Sequence, residues 1–101
     1  MEDIIVVTSI SEVESEIIQP LVRRLGQWRF QAGNSSIKKN RERAIEDFPV
    51  LLSEISRYKS SLEEFLTHVA DLESREFVTN ILIQIDYQID KVKAMLDDIV
   101  P

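Results

Sequence analysis

One apolar repeat constrains the fold of this chain more than any other feature. Between Ala44 and Leu72, apolar residues recur at steps that alternate between four and three, while most of the positions between them are charged or small and polar. This spacing predicts a long amphipathic helix with a coiled-coil-like seam. The seam consists of Ala44, Phe48, Leu51, Ile55, Tyr58, Leu62, Phe65, Val69 and Leu72.

A second seam follows near the C-terminus, and it is out of register with the first by one residue, or about 100° around a helix. Leu72 is the only apolar residue among 71–76, so we predict a short reversal there and an antiparallel hairpin, with Leu62 and Phe65 packed against Ile85 and Ile89. Neither Gly nor Pro marks that turn, so one continuous helix remains the alternative. The second seam consists of Val78, Leu82, Ile85, Ile89, Val92, Leu96 and Ile99.

A third apolar stripe predicts a helix over about residues 11–32, with Ser11-x-x-Glu14 as its capping box. Pro20 lies inside this stripe, and because the apolar phase continues across it we expect a kink and not a break. The stripe consists of Val13, Ile17, Leu21, Leu25, Trp28 and Ala32.

The stretch from Gly33 to Ser36 is typical of a helix end, with Gly33 at the C′ position. We expect Ser36 or Asn40 to cap the next helix. Pro49 lies within the first seam, which is unbroken around it, so we expect one bent helix there.

Together these patterns predict an all-α chain, an elongated antiparallel three-helix bundle or helical hairpin with coiled-coil-like seams. A chain of 101 residues is one domain. We assign residues 1–10 to an extended or frayed arm, or possible early helical turn, and residues 11–101 to a single helical domain with helices at about 11–32, 38–71 and 75–99. A helix over 40–71 would be roughly 45–50 Å long, which requires a rod-like molecule.

Composition excludes several classes of protein. The chain has no cysteine, which excludes disulfides, thiolate zinc sites and cysteine nucleophiles. The N-terminus lacks the basic and apolar regions of a signal peptide, and no apolar run approaches the roughly 20 residues of a membrane span. We therefore expect a cytoplasmic protein with no membrane partner.

Charge is distributed unevenly along the chain. The net charge is −6, yet residues 23–43 hold seven basic residues and one acid, or +6, which leaves −12 for the remainder. Clustered cations beside an aromatic residue can bind an anionic partner such as nucleic acid, although Trp28 also fits the first helix's buried stripe. The candidate partner-binding residues are Arg23, Arg24, Trp28, Arg29, Lys38, Lys39, Arg41 and Arg43.

The last helix carries more apolar surface than one seam accounts for. Phe77, Ile81, Ile83 and Tyr87 lie off its seam, and a helix that is apolar on more than one side is buried on more than one side. The first helix could cover this surface, or a second copy of the chain could. We assign these four residues to self-association, and we expect a homodimer.

Catalytic motifs are sparse. His68 is the only histidine, and carboxylates at helical spacing, such as Glu73 and Glu76, could hold Mg²⁺ between facing helices. The segment 69–72 resembles part of the second motif of all-helical nucleotide pyrophosphohydrolases, which would imply a Mg²⁺-dependent enzyme. However, the E-E-x-x-E repeat of that family is absent, and a histidine stands three residues before Asp71.

The sequence lacks a Gly-rich phosphate loop, a Ser-His-Asp pattern and zinc-ligand spacing. We therefore expect a non-enzymatic helical protein–protein interaction module, acting as a regulator, adaptor or inhibitor, with no metal site and no cofactor. Binding of an anionic partner through residues 23–43 is the alternative, and the pyrophosphohydrolase-like enzyme is the second alternative.

Overall fold

The computed structural model describes residues 4–100 and confirms the elongated three-helix bundle. Helix α1 covers residues 10–33, α2 covers Lys38–His68, and α3 covers Leu72–Ile99. The molecule measures 48 × 25 × 20 Å and has a radius of gyration of 15.1 Å. A compact chain of this length has a radius of gyration of about 13 Å, so the predicted rod-like shape is also confirmed.

Helix α1 begins earlier than predicted because Ser9, and not Ser11, is its N-cap. Ser9 has extended backbone angles, and its Oγ accepts from the N–H of Glu12 at 3.2 Å. The carboxylate of Glu12 in turn accepts from the hydroxyl of Thr8 at 2.8 Å. Ser11 already lies inside the helix, where a side chain can no longer serve as the N-cap.

A π-helical segment over Glu14–Ile18 accommodates Pro20, which lies at the start of the α-helix Gln19–Gly33. The N–H of Gln19 bonds to the carbonyl of Glu14, five residues back. Apolar residues in this region are spaced four apart three times in succession, which in a regular α-helix would rotate the stripe by about 120°. A π-helical turn holds more residues and takes up this rotation, so the buried stripe stays on one side across the proline.

The connection between α1 and α2 uses asparagine where a left-handed glycine was predicted. Gly33 is still helical, and no described residue has a positive φ. The backbone N–H and the side-chain amide of Asn34 both donate to the carbonyl of Phe30, at 3.2 and 2.7 Å, which satisfies the helix end without a left-handed residue. Ile37 occupies the next N-cap position without a side-chain bond, so the prediction of Ser36 or Asn40 there is wrong.

Helix α2 is continuous through Pro49, as the unbroken seam predicted. Its seam residues from Ala44 to Phe65 are all buried, and Val69 is half-buried. Leu72 does not belong to the seam. It is exposed, because α2 has already ended at His68 and Leu72 is the first residue of α3.

The reversal between α2 and α3 occupies residues 69–71, slightly before the predicted 71–76. Asp71 is the N-cap of α3 and accepts from the N–H of Ser74 at 2.9 Å; hydrogen bonds from the side chain and backbone of Ser74 lower the pKa of Asp71. Arg75 donates to the carbonyls of Leu66 and Val69, at 2.7 and 3.0 Å. These side chains terminate both helices, so the turn needs neither Gly nor Pro.

Residues 4–8 form no regular secondary structure, and Ile5 contacts α2. Val7 is buried, and the N–H of Ile5 donates to the Oγ of Ser61 at 2.9 Å, whereas Ile4 and Val6 point outward. Residues 1–3 of the predicted arm and Pro101 of the predicted helical domain lie outside the described residues.

Candidate functional site

An apolar groove lies between α1 and α3. Helix α1 packs closely along α2 but approaches α3 at far fewer points. The space left between α1 and α3 is about 480 Å³. Its walls are largely apolar: Ile18, Leu21, Val22 and Leu25 from α1, and Phe77, Ile81 and Ile85 from α3.

The apolar walls of this groove remain accessible. The side chain of Val22 is 63% exposed, and Ile18, Phe77 and Ile81 are only half-buried. On the adjacent outer face of α3, Ile83 is 59% exposed and Tyr87 is 53% exposed. Exposed apolar residues that adjoin an apolar groove are typical of a binding surface, whereas scattered ones need no explanation.

The polar lining of the groove is nearly free of charge. Asn80, Gln84 and Gln88 contribute neutral amides, and Arg29 is the one charged residue in the lining. The guanidinium of Arg29 donates to the side-chain oxygen of Gln88, so that it bridges the two walls. In a chain with 18 acidic residues, a groove without a carboxylate in its lining is well suited to an apolar occupant.

The structure divides the four residues that the sequence assigned to self-association. Phe77 and Ile81 line the groove, while Ile83 and Tyr87 lie beyond its rim on the outer face of α3. Sequence reasoning missed Ile18 and Val22, which form the opposite wall. They lie four residues apart and off the buried stripe of α1. Apolar residues off the seam indicated a second apolar surface on α3, and the same criterion would have indicated one on α1.

The eight residues of the predicted anionic-partner site differ in how far they are buried. Trp28 is fully buried, and its Nε1 donates to the carbonyl of Ala44 at 2.9 Å, so its ring cannot stack on a partner. Arg29 lines the groove. The remaining exposed or half-buried cations of the set are Arg23, Lys38, Lys39, Arg41 and Arg43.

Arg24 is also engaged within the bundle. Its guanidinium lies 2.8 Å from the carboxylate of Asp47 and 2.6 Å from that of Glu54, which joins α1 to α2. Burial alone would lower the pKa of Arg24, but the hydrogen bonds to Asp47 and Glu54 outweigh that effect and raise it. The charge of Arg24 is thus neutralised inside the fold.

His68 and Asp71, which were considered for catalysis, lie at the end of α2 and just before α3. Within residues 4–100, no group of three or more His, Asp or Glu side chains is placed to hold a metal ion. His68 is exposed and lies 2.9 Å from the carboxylate of Glu64, one turn away. Asp71 caps α3 from the loop, so the segment that resembled the pyrophosphohydrolase motif does not lie on a helix face.

No helix in the described part of the chain is long and apolar enough to cross a membrane. Comparison of the chain with protein-family models, with curated proteins and with solved structures found no match.

Proposed function

We propose that this chain is a non-enzymatic protein–protein interaction module, a regulator, adaptor or inhibitor, whose groove between α1 and α3 binds the apolar face of an amphipathic helix. The observation that supports this function is the accessible apolar wall formed by Ile18, Val22, Phe77 and Ile81. The bundle buries the apolar seams between its other helices but leaves this apolar wall accessible, and a partner helix would cover it.

The dimensions of the groove favour a helix as its occupant. Its α3 wall extends from Phe77 to Gln88, which is about 16 Å, or three helical turns. A helix that lies along it would present apolar residues at positions i, i+3 or i+4, and i+7. The amides of Asn80 and Gln84 can then donate and accept hydrogen bonds at the rim.

A Val22→Glu substitution should weaken binding of a helical probe by tenfold or more, because it places an unpaired carboxylate against an apolar surface. The probe is a synthetic amphipathic peptide with leucine at i, i+3, i+4 and i+7. Binding is measured by titration, and amide NMR shifts locate it on the protein. Val50→Glu is the matched control, since Val50 is 51% exposed on α2 and outside the groove.

Equal effects of the two substitutions, or NMR shifts away from the groove, would contradict this function. A scrambled peptide of the same composition separates helical docking from general hydrophobic adsorption. Binding of a small apolar molecule in the groove, with no binding of the peptide, would indicate a ligand site instead.

Residues 23–43 support a second candidate function, binding of an anionic partner. Phe30 is 73% exposed, and Ile37 is exposed directly before Lys38 and Lys39, which places apolar contact surface beside cations. Arg43 is also exposed. This arrangement suits a surface that binds both by charge and by apolar contact.

Reversing the charge at Lys38, Lys39, Arg41 and Arg43 should abolish binding of a labelled single-stranded oligonucleotide. Because phosphate binding releases counterions, the affinity of the unaltered chain should fall steeply between about 50 and 200 mM salt. Fluorescence anisotropy measures both effects. Binding that is insensitive to salt, or that survives the charge reversal, would exclude this candidate.

A further inference from the structure

We infer that the helix that occupies the groove is α3 of a second copy of this chain, docked antiparallel about a two-fold axis near Gln84. This inference rests on the proposed function, since it identifies the occupant of the same groove. It follows from the charge of the chain, from the order of residues along the outer side of α3, and from the position of the exposed apolar side chains.

Charge restricts where two copies can meet. Each chain carries −6, so two copies repel unless they associate through a face that is neutral or complementary. The groove is such a face, because Arg29 is the one charged residue in its lining and is already hydrogen bonded to Gln88. A basic foreign helix would instead be recognised by carboxylates in the lining, and the groove presents none.

The outer side of α3 is complementary to itself when one copy is reversed. At 100° per residue, Glu76, Asn80, Gln84, Tyr87 and Lys91 fall within about 80° of arc, which Glu73, Ala94 and Asp98 share nearer the ends of the helix. With the axis at Gln84, Glu76 of one copy lies beside Lys91 of the second, Asn80 lies opposite Gln88, and Gln84 faces itself. Amide side chains both donate and accept, so the pairing at the axis satisfies both copies.

The same register covers the exposed apolar side chains. Tyr87 of one copy comes level with Ile81 of the other, where its ring can enter the groove towards Val22. Ile83 lies next to Tyr87 on that outer face and is covered with it. A tyrosine anchor in an apolar groove, surrounded by neutral amides, has the composition of an interface core.

Sedimentation velocity between about 5 µM and 1 mM tests this arrangement, with dimer expected at the upper end. Glu76→Lys alone, or Lys91→Glu alone, should weaken the dimer by about tenfold, since each change creates two symmetric like-charge contacts. The double variant, Glu76→Lys with Lys91→Glu, should restore the dimer. Residues 76 and 91 are about 22 Å apart in one helix, so restoration can only arise between chains.

Glu63→Lys is the matched control, because it makes the same change in net charge on an exposed position of α2 and should leave the dimer unaffected. Helical circular dichroism confirms that each variant is folded. The inference is overturned if Val22→Glu leaves the dimer affinity unchanged. It is also overturned if the double variant dimerises no better than the single variants. If the chain is monomeric at all concentrations but still binds the amphipathic probe, the dimer inference is overturned and the proposed function stands. If it neither dimerises nor binds the probe, both are overturned.

Discussion

Replacing Trp28 with alanine should lower the free energy of unfolding by about 3–5 kcal/mol, the usual cost of removing a large buried aromatic side chain. Trp28 is the largest fully buried side chain, and its ring centroid lies 5.5 Å from that of Phe48 across the α1–α2 interface. A domain of this size is stable by only about 5–15 kcal/mol, so the loss is a large fraction of the total. Urea denaturation followed by circular dichroism measures it.

Two further substitutions separate the contributions at Trp28. Trp28→Phe keeps an aromatic ring but removes the donor to the carbonyl of Ala44, and it should cost less, roughly 1–3 kcal/mol. Phe30→Ala removes an exposed ring two residues away and should change stability by less than about 0.5 kcal/mol. Similar losses from Trp28→Ala and Phe30→Ala would contradict the placement of Trp28 in the core.

The helices could be predicted from sequence because burial follows the period of the backbone. Ala44, Leu51 and Ile55 are buried for the same reason that they recur at steps of three and four: each faces the neighbouring helices. The one-residue slip between the two seams predicted the reversal, since a single straight helix cannot keep both seams on one face. These signals are local, and they need no knowledge of the tertiary structure.

The exact turns and the π-helical segment were harder to predict from the sequence than the helices. The reversal at 69–71 lacks glycine because Arg75 bonds the carbonyls of Leu66 and Val69 from the next helix. The π-helical segment did have a local signal, the repeated spacing of four on both sides of Pro20, but this spacing also fits an ordinary kink. The turn at 69–71 and the π-helical segment both form because backbone N–H and C=O groups at helix ends and around a proline need hydrogen-bond partners.

The candidate site was only partly predictable for a similar reason. A count of cations cannot show that Arg24 is neutralised by Asp47 and Glu54, which lie 23 and 30 residues away. The groove exists because α1 and α3 contact each other at only a few points, and that depends on interhelical distance. The off-seam positions of Phe77 and Ile81 indicated a second apolar surface on α3, but not what lies opposite it.

The second large effect should come from Phe65, which is 6% exposed in the α2 seam. Phe65→Ala should lower the free energy of unfolding by about 3–5 kcal/mol. Glu63→Ala, at an exposed position two residues away, should change it by less than about 0.5 kcal/mol. Chemical denaturation of both variants measures the difference, and equal effects would contradict the assigned seam.

The residue on α3 that lies nearest Phe65 differs from the sequence-based expectation. Lys59 lies 2.7 Å from Asp86, and Arg75 bonds the carbonyl of Leu66. Counting along the two antiparallel helices from these contacts places Phe65 level with residues 76–80, and so beside the fully buried Val78. Ile85 and Ile89 lie further along α3 than this level, because the turn begins two residues earlier than predicted, so Val78 replaces them as the expected neighbour of Phe65.

This correction can be tested with double-mutant cycles. Phe65→Ala and Val78→Ala should be non-additive, with a coupling of roughly 0.5–3 kcal/mol, because neighbours in a core share one cavity. Phe65→Ala and Ile89→Ala should be additive, since Ile89 lies about 9–13 residues, or roughly 14–20 Å, further along α3 than the level of Phe65. Coupling to Ile89 without coupling to Val78 would show that the helices pair in the register expected from the sequence.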